Sequence, residues 1–173
     1  MNSKFRATTL FALLILAGCN REPKSTAIVL SEKIPRDLVI VLERDICFGF
    51  CPAYKLTISA NGSVEFEGRH YVKKKGVVRA TISQEQLKYL VAEFERVRYF
   101  TLQDHYVSKE NGCFEVGTDS PTVNTSITIA GKTKSIEHYH GCEGPLILKQ
   151  LTSLENKIDE AVNASQWFDK NNQ

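Results

Sequence analysis

The sequence predicts an α+β domain: an antiparallel sheet of four to six strands, built from two hairpins and packed by two helices. Two observations carry the hairpins, namely short β-branched runs of period two flanking Asn61-Gly62 and a second pair of runs flanking Ala130-Gly131-Lys132. A third carries the helices, since apolar residues recur at helical spacing after Ser83 and again after Pro145. Strands joined by short turns pair antiparallel, which leaves the helices to cover one face.

Taken in chain order, residues 1–18 read as an export signal. Lys4 and Arg6 precede the apolar run Leu10 to Ala17, and small residues follow. The run is shorter than the ~20 apolar residues of a membrane span, and the polar Asn20-Arg21-Glu22-Pro23-Lys24 ends it. Leu16-Ala17-Gly18-Cys19 resembles the lipobox of bacterial lipoproteins. That resemblance implies cleavage before Cys19, acylation of its thiol and new amino group, and stable membrane anchoring. Asn20 rather than Asp after the lipidated cysteine implies, in a Gram-negative cell, sorting to the periplasmic face of the outer membrane. Residues 19–36 then form the lipidated cysteine and a tether of about 20–25 Å as a flexible coil, in which Ile28-Val29-Leu30 offers an alternative edge strand.

A single globular domain is expected over 37–165, with a tail at 166–173. Leu38 to Glu43 is β-branched, apolar and too short for a helix, so it reads as the opening strand. Tyr54 to Ser59 alternates, Asn61-Gly62 turns the chain, and Val64 to Gly68 returns, with Val77 to Ile82 as a fourth strand. Ser83 with Gln86 three residues on forms a capping box, followed by Leu87, Leu90, Val91, Phe94 and Val97 on one helix face. The turn-rich stretch from Tyr99-Phe100 to Pro121 is too long for an ordinary connection and is either partly structured or a functional loop. Thr125 to Ile129 and Lys134 to His138 make the second hairpin. The second helix runs from about Pro145 to Ala164, with Ile147, Leu151, Leu154, Ile158 and Ala161 along one side. Hairpin followed by helix thus occurs twice, and the echo of Leu56 to Gly62 in Ser126 to Gly131 hints at a duplicated unit.

Charge and cysteines bound the function. Without Lys4 and Arg6, the 22 Lys and Arg fall level with the 20 Asp and Glu. A neutral, exported chain lacks the concentrated positive field that nucleic-acid binding needs. Of the five cysteines, Cys19 is assigned to lipid, and Cys47, Cys51, Cys113 and Cys142 remain as an even set in an oxidising compartment. Of the three possible pairings, Cys47 to Cys51 with Cys113 to Cys142 is the most economical, with Gly49 bending the short one. In the chain-entropy model the longer bridge contributes about 3–4 kcal/mol and the shorter about 2.

Glu43-Arg44, Cys47-Phe48-Gly49-Phe50-Cys51-Pro52-Ala53-Tyr54-Lys55-Leu56, Asn61-Gly62 and Thr118-Asp119-Ser120-Pro121 together resemble an uncharacterised family of bacterial exported proteins. That family carries a C-F-G-x-C-P-x-Y-x-L motif, a D/N-G turn, a helix opening at serine and a downstream T-D-x-P. The resemblance spans about residues 38–162. It implies an exported domain of unknown function and no catalytic residue.

Three groups are candidate sites. Phe48 and Phe50 on a cysteine turn, with Tyr71, supply apolar rings of the kind that anchor protein interfaces. Arg69, His70, Lys73, Lys74, Lys75 and Arg79 form a basic hairpin suited to anionic head groups or an acidic partner. Cys47, Cys51, His138 and His140 offer soft sulfur and imidazole donors for copper, and a C-x-x-x-C-P segment also resembles exported copper chaperones. In those chaperones, however, the motif lies where a strand meets a helix, whereas here a hairpin strand follows. Asp104-His105 and Asp119-Ser120 contain hydrolase residue types, but no G-x-S-x-G elbow accompanies them. The expectation is a non-catalytic, lipid-anchored protein of the cell envelope with a protein partner, of inhibitor, immunity or assembly type. It has no cofactor beyond the lipid on Cys19. The alternative is a thiol redox or copper-binding protein using Cys47 and Cys51.

Overall fold

Strand β1 (Val39–Arg44) lies at the centre of the sheet, and its alternation sets the polarity of the whole domain. The computed structural model describes residues 33–168. The signal segment, Cys19, Asn20 and the Ile28 to Leu30 alternative therefore lie outside the described residues. After β1 come β2 (Ala53–Ser59), β3 (Ser63–His70), β4 (Gly76–Thr81) and helix α1 (Gln84–Arg96). The two-residue strands β5 (His105–Tyr106) and β6 (Glu115–Val116) precede the hairpin β7 (Thr122–Ile129) and β8 (Lys132–Tyr139). Strand β9 (Cys142–Glu143) and helix α2 (Leu146–Ala161) complete the order.

The main sheet has seven strands in the order β4-β3-β2-β1-β7-β8-β5, against the four to six expected. It is antiparallel throughout except where β5 runs parallel to β8. The surplus is β5; β6 and β9 form a separate two-stranded ladder. Strands of two residues are too short to show any period, which is why the sequence does not display them. The long connection from Tyr99 to Pro121 is partly structured, carrying β5, β6 and two single 3₁₀ turns.

Leu38, Ile40 and Leu42 are buried on one face of the sheet, opposite Ile58 and Leu56 on β2 and Ile127 and Thr125 on β7. Val39, Val41 and Glu43 lie on the other face, which is only half-buried. At the first hairpin, Gly62 adopts φ 82°, and a Cβ there would sit 2.4 Å from the Ile82 carbonyl oxygen. That carbonyl's own amide donates to Gly62 O at 2.9 Å, so the turn holds the chain entering α1. The second hairpin turns through Ala130 (φ 51°) and Gly131 (φ 73°). The Asp37 carboxylate accepts from both amides, at 3.1 and 2.6 Å.

The capping box of α1 forms, with Gln86 N donating to Ser83 Oγ and Ser83 N donating to Gln86 Oε1. Leu87, Leu90, Val91, Phe94 and Val97 are all buried. Helix α2 starts one residue after Pro145, and its buried stripe is turned slightly from the expected one. Leu148, Leu151, Leu154 and Ile158 are buried with Glu155 and Asp159, while Ile147 and Ala161 are half-buried. Burying each leucine contributes about 1.5–3 kcal/mol. The helices are tied to each other by Gln86 Nε2 donating to Ala161 O at 2.8 Å and by Lys157 Nζ on Glu93 at 2.8 Å. None of the described helices is long and apolar enough to cross a membrane.

The core extends beyond the expected 37–165 boundary. Trp167 and Phe168 are buried, with Phe168 stacked on Tyr54 at 5.0 Å and Trp167 packed at a tilt against Phe66 at 4.7 Å. Val72 pairs with Phe168 as an isolated bridge, and Lys73 N donates to Trp167 O. These contacts fix the β3–β4 turn.

Candidate functional site

One end of the sheet collects the sequence motifs. The C-terminal end of β1, the start of β2, the start of β7 and the end of β8 are neighbours there, because β1 pairs antiparallel with both β2 and β7. The cysteine motif and Thr118 to Pro121 are thereby brought together, with Asp45 N donating to Thr122 O and His140 N donating to Pro121 O. Cys51, Pro52, Pro121, His140, Arg44, Thr152 and Asn156 line one cavity of about 210 Å³.

Cys47 and Cys51 are joined as a disulfide, and so are Cys113 and Cys142. The thiols of the copper alternative are thus held in a bridge. Gly49 N donates to Cys47 O at 2.9 Å, closing a tight turn inside the five-residue ring. The rings on this turn face outward: Phe48 is 87% exposed, Phe50 70% and the preceding Ile46 57%. Phe50 meets Tyr71 edge to face at 5.4 Å. Tyr71 itself sits at φ 52°, a left-handed conformation that is strained for an aromatic residue.

Lys73, Lys74 and Lys75 are exposed at the β3–β4 turn. The arginines of the expected basic patch are committed elsewhere. Arg69 pairs with Glu43 and Glu67, and Arg79 with Glu65, all across the open face of the sheet. Asp104 pairs with Lys134, and His105 lies 3.0 Å from Glu137, so both belong to the β5–β8 edge. Asp119 takes a left-handed backbone conformation, φ 68°, which aspartate tolerates better than most residues.

Beneath the motif end lies a buried polar layer that the sequence reading missed. Arg44 continues the inward alternation of Leu38, Ile40 and Leu42, and is 6% exposed. Its Nε donates to Asp159 Oδ2 at 3.0 Å and its Nη2 to Asn156 Oδ1 at 3.1 Å. The Tyr54 hydroxyl donates to Asp159 Oδ1 at 2.7 Å. Burial works to lower the Arg44 pKa, and the charges of Asp159, Tyr54 and Glu155 together with the Asp159 hydrogen bond more than offset it, so the guanidinium stays protonated. Burial first, and then the Asp159 charge, push the Tyr54 phenol well above its usual range.

A second cluster adjoins the first. His138 Nδ1 is 2.9 Å from Glu155 Oε1, and His140 Nε2 is 2.7 Å from Glu155 Oε2. His138 and His140 do share a side, as two residues apart on a strand require. Burial opposes ionisation of Glu155, yet the hydrogen bonds from both imidazoles prevail and bring its pKa down to about 2. A cleft of about 670 Å³ opens beside this cluster, lined among others by Phe114, Glu115, His138, His140 and Glu143. The Cys113–Cys142 bridge and the hydrogen bond from Phe114 N to Glu143 O hold the wall of that cleft.

Sequence signals for this layer existed. Glu155 and Asp159 fall at helical spacing within the stripe of Leu151, Leu154 and Ile158, and Arg44 occupies an inward strand position. No curated protein matches the chain. The model of a domain of unknown function (DUF6438) matches residues 38–162, from the residue that opens the buried alternation of β1 to the residue that caps α2, and the chain belongs to that family.

Proposed function

We propose that this protein is a lipid-anchored component of the bacterial cell envelope that binds another protein without catalysis, in the manner of an inhibitor, immunity protein or assembly factor. The observation that carries the reading is the outward projection of Phe48 and Phe50 from a disulfide-closed turn. Rings that remain exposed on a rigid loop lose little conformational entropy on docking, and aromatic anchors dominate interface energetics. Ile46 and Tyr71 extend the same apolar surface. The three exposed lysines beside Tyr71 supply a polar rim.

Two measurements test it. A photo-crosslinking residue at position 48 in living cells should give a discrete protein adduct, and one at Thr57 on the open sheet face should not. The substitution Phe50→Ala in the same chain should reduce the adduct, since truncating an aromatic anchor costs about 2 kcal/mol or more, roughly thirtyfold in affinity. Equal labelling from positions 48 and 57 would remove the loop from consideration. For the anchor, Cys19→Ser should shift the protein from the membrane fraction to the soluble one; retention in the membrane would refute lipidation at that residue.

A further inference from the structure

The cluster of His138, His140 and Glu155 has a use that the binding loop does not require. Each residue offers one donor atom, and the three atoms lie within 4.8 Å of one another. Two are imidazole nitrogens and one a carboxylate oxygen, the mixed set that borderline divalent ions such as Zn²⁺ favour. The present separations across Glu155 are 2.9 and 2.7 Å. Around an ion held at about 2.0–2.1 Å with tetrahedral geometry, neighbouring donors stand about 3.3 Å apart. The two nitrogens meet different oxygens of Glu155, so admitting the ion requires each nitrogen to draw back from the carboxylate by roughly half an ångström and the three donors, now within 4.8 Å of one another, to converge on one centre.

The frame around the cluster is already fixed. His138 is held in the β7–β8 ladder opposite Val123, and His140 by its backbone bond to Pro121. Glu155 is anchored in the buried stripe of α2. The imidazole planes are inclined at 52° with centroids 5.0 Å apart, so the rings are not stacked flat against each other. His138 and Glu155 are almost wholly buried, whereas the His140 side chain is 21% exposed. Both histidines line the cleft next to the cluster, which gives an entry path and a place for a fourth ligand.

We infer that His138, His140 and Glu155 form a binding site for one Zn²⁺-like divalent ion, with its fourth coordination position open to the cleft. The cysteines take no part, because Cys47 and Cys51 are bridged and the carboxylate supplies the third donor. The ion links the end of β8 to α2.

The test uses full-length protein carrying Cys19→Ser, stripped with chelator and titrated with Zn²⁺ by calorimetry and with Co²⁺ by absorption. One ion per chain is expected, with Co²⁺ giving the intense visible bands of four-coordination. His140→Gln, a substitution at the most exposed ligand, should weaken Zn²⁺ binding at least about tenfold while circular dichroism remains unchanged. The Cys47→Ser/Cys51→Ser variant should bind as the parent does. A readout that needs no substitution is the nitrogen NMR of the two imidazoles, which should shift together on adding one equivalent of Zn²⁺. Absence of binding, undiminished binding by His140→Gln, loss of binding in the cysteine variant, or unshifted imidazole nitrogens would each overturn the site.

Discussion

Ala130 occupies a left-handed conformation that costs an alanine about 1–2 kcal/mol, and Asp37 compensates by accepting its amide and that of Gly131. The Gly131 amide, then desolvation in the opposite sense, then the Ala130 amide set the Asp37 pKa, and the result lies below the usual 3.8. A carboxylate with a lowered folded-state pKa stabilises the fold above its unfolded value and loses that contribution as pH falls through the folded value. Acidification from about pH 4 downward is thus expected to loosen this turn, seen as faster amide exchange at Gly131 and abolished in Asp37→Asn. Unchanged exchange would show that the turn does not depend on the carboxylate.

At the scale of one element, α2 shows what a sequence reveals and what it conceals. Its length and its leucine spacing were legible, since a stripe of apolar residues reports the direction of the core. The acids within that stripe were not, because an acid at a buried position makes sense only when its partner is known. Arg44 and Asp159 are 115 residues apart, and only the docking of α2 against β1 brings them together. Asp159→Ala would strand a buried guanidinium and is expected to cost about 3–5 kcal/mol in urea unfolding. Joint replacement by Arg44→Met and Asp159→Leu should cost clearly less, since no charge is then left unpaired. An equal loss in single and double variants would mean that packing, rather than charge, holds the pair. The hairpins were legible for a local reason, as Asn61-Gly62 and the period-two runs act within a few residues. By contrast, β5, β6 and β9 depend on partners far along the chain.

For the molecule as a whole, the family match ends at residue 162, yet the core continues to Phe168. Trp167 was expected in the tail, and nothing in its immediate sequence marks it as core, because its partners are Phe66 on β3 and the backbone of the β3–β4 turn. Trp167→Ala is expected to destabilise by about 3–5 kcal/mol, and a melting temperature within a degree of the parent would show those contacts to be dispensable. The candidate site was legible in its parts and not in its assembly. The cysteine loop, Thr118 to Pro121 and the two histidines were each visible as short motifs, while their meeting at one end of the sheet is a product of topology.

That topology also decides how the molecule bears tension. The chain enters the sheet at Leu38, and the aromatic loop leaves from the opposite end of the same strand. A pull between an upstream anchor and a partner gripping Phe48 would run along β1, which is hydrogen-bonded to β2 on one side and β7 on the other. Both grips would then sit at the two ends of one strand that is already extended, so the load would pass through the covalent backbone of β1 and leave its ladders to β2 and β7 unsheared.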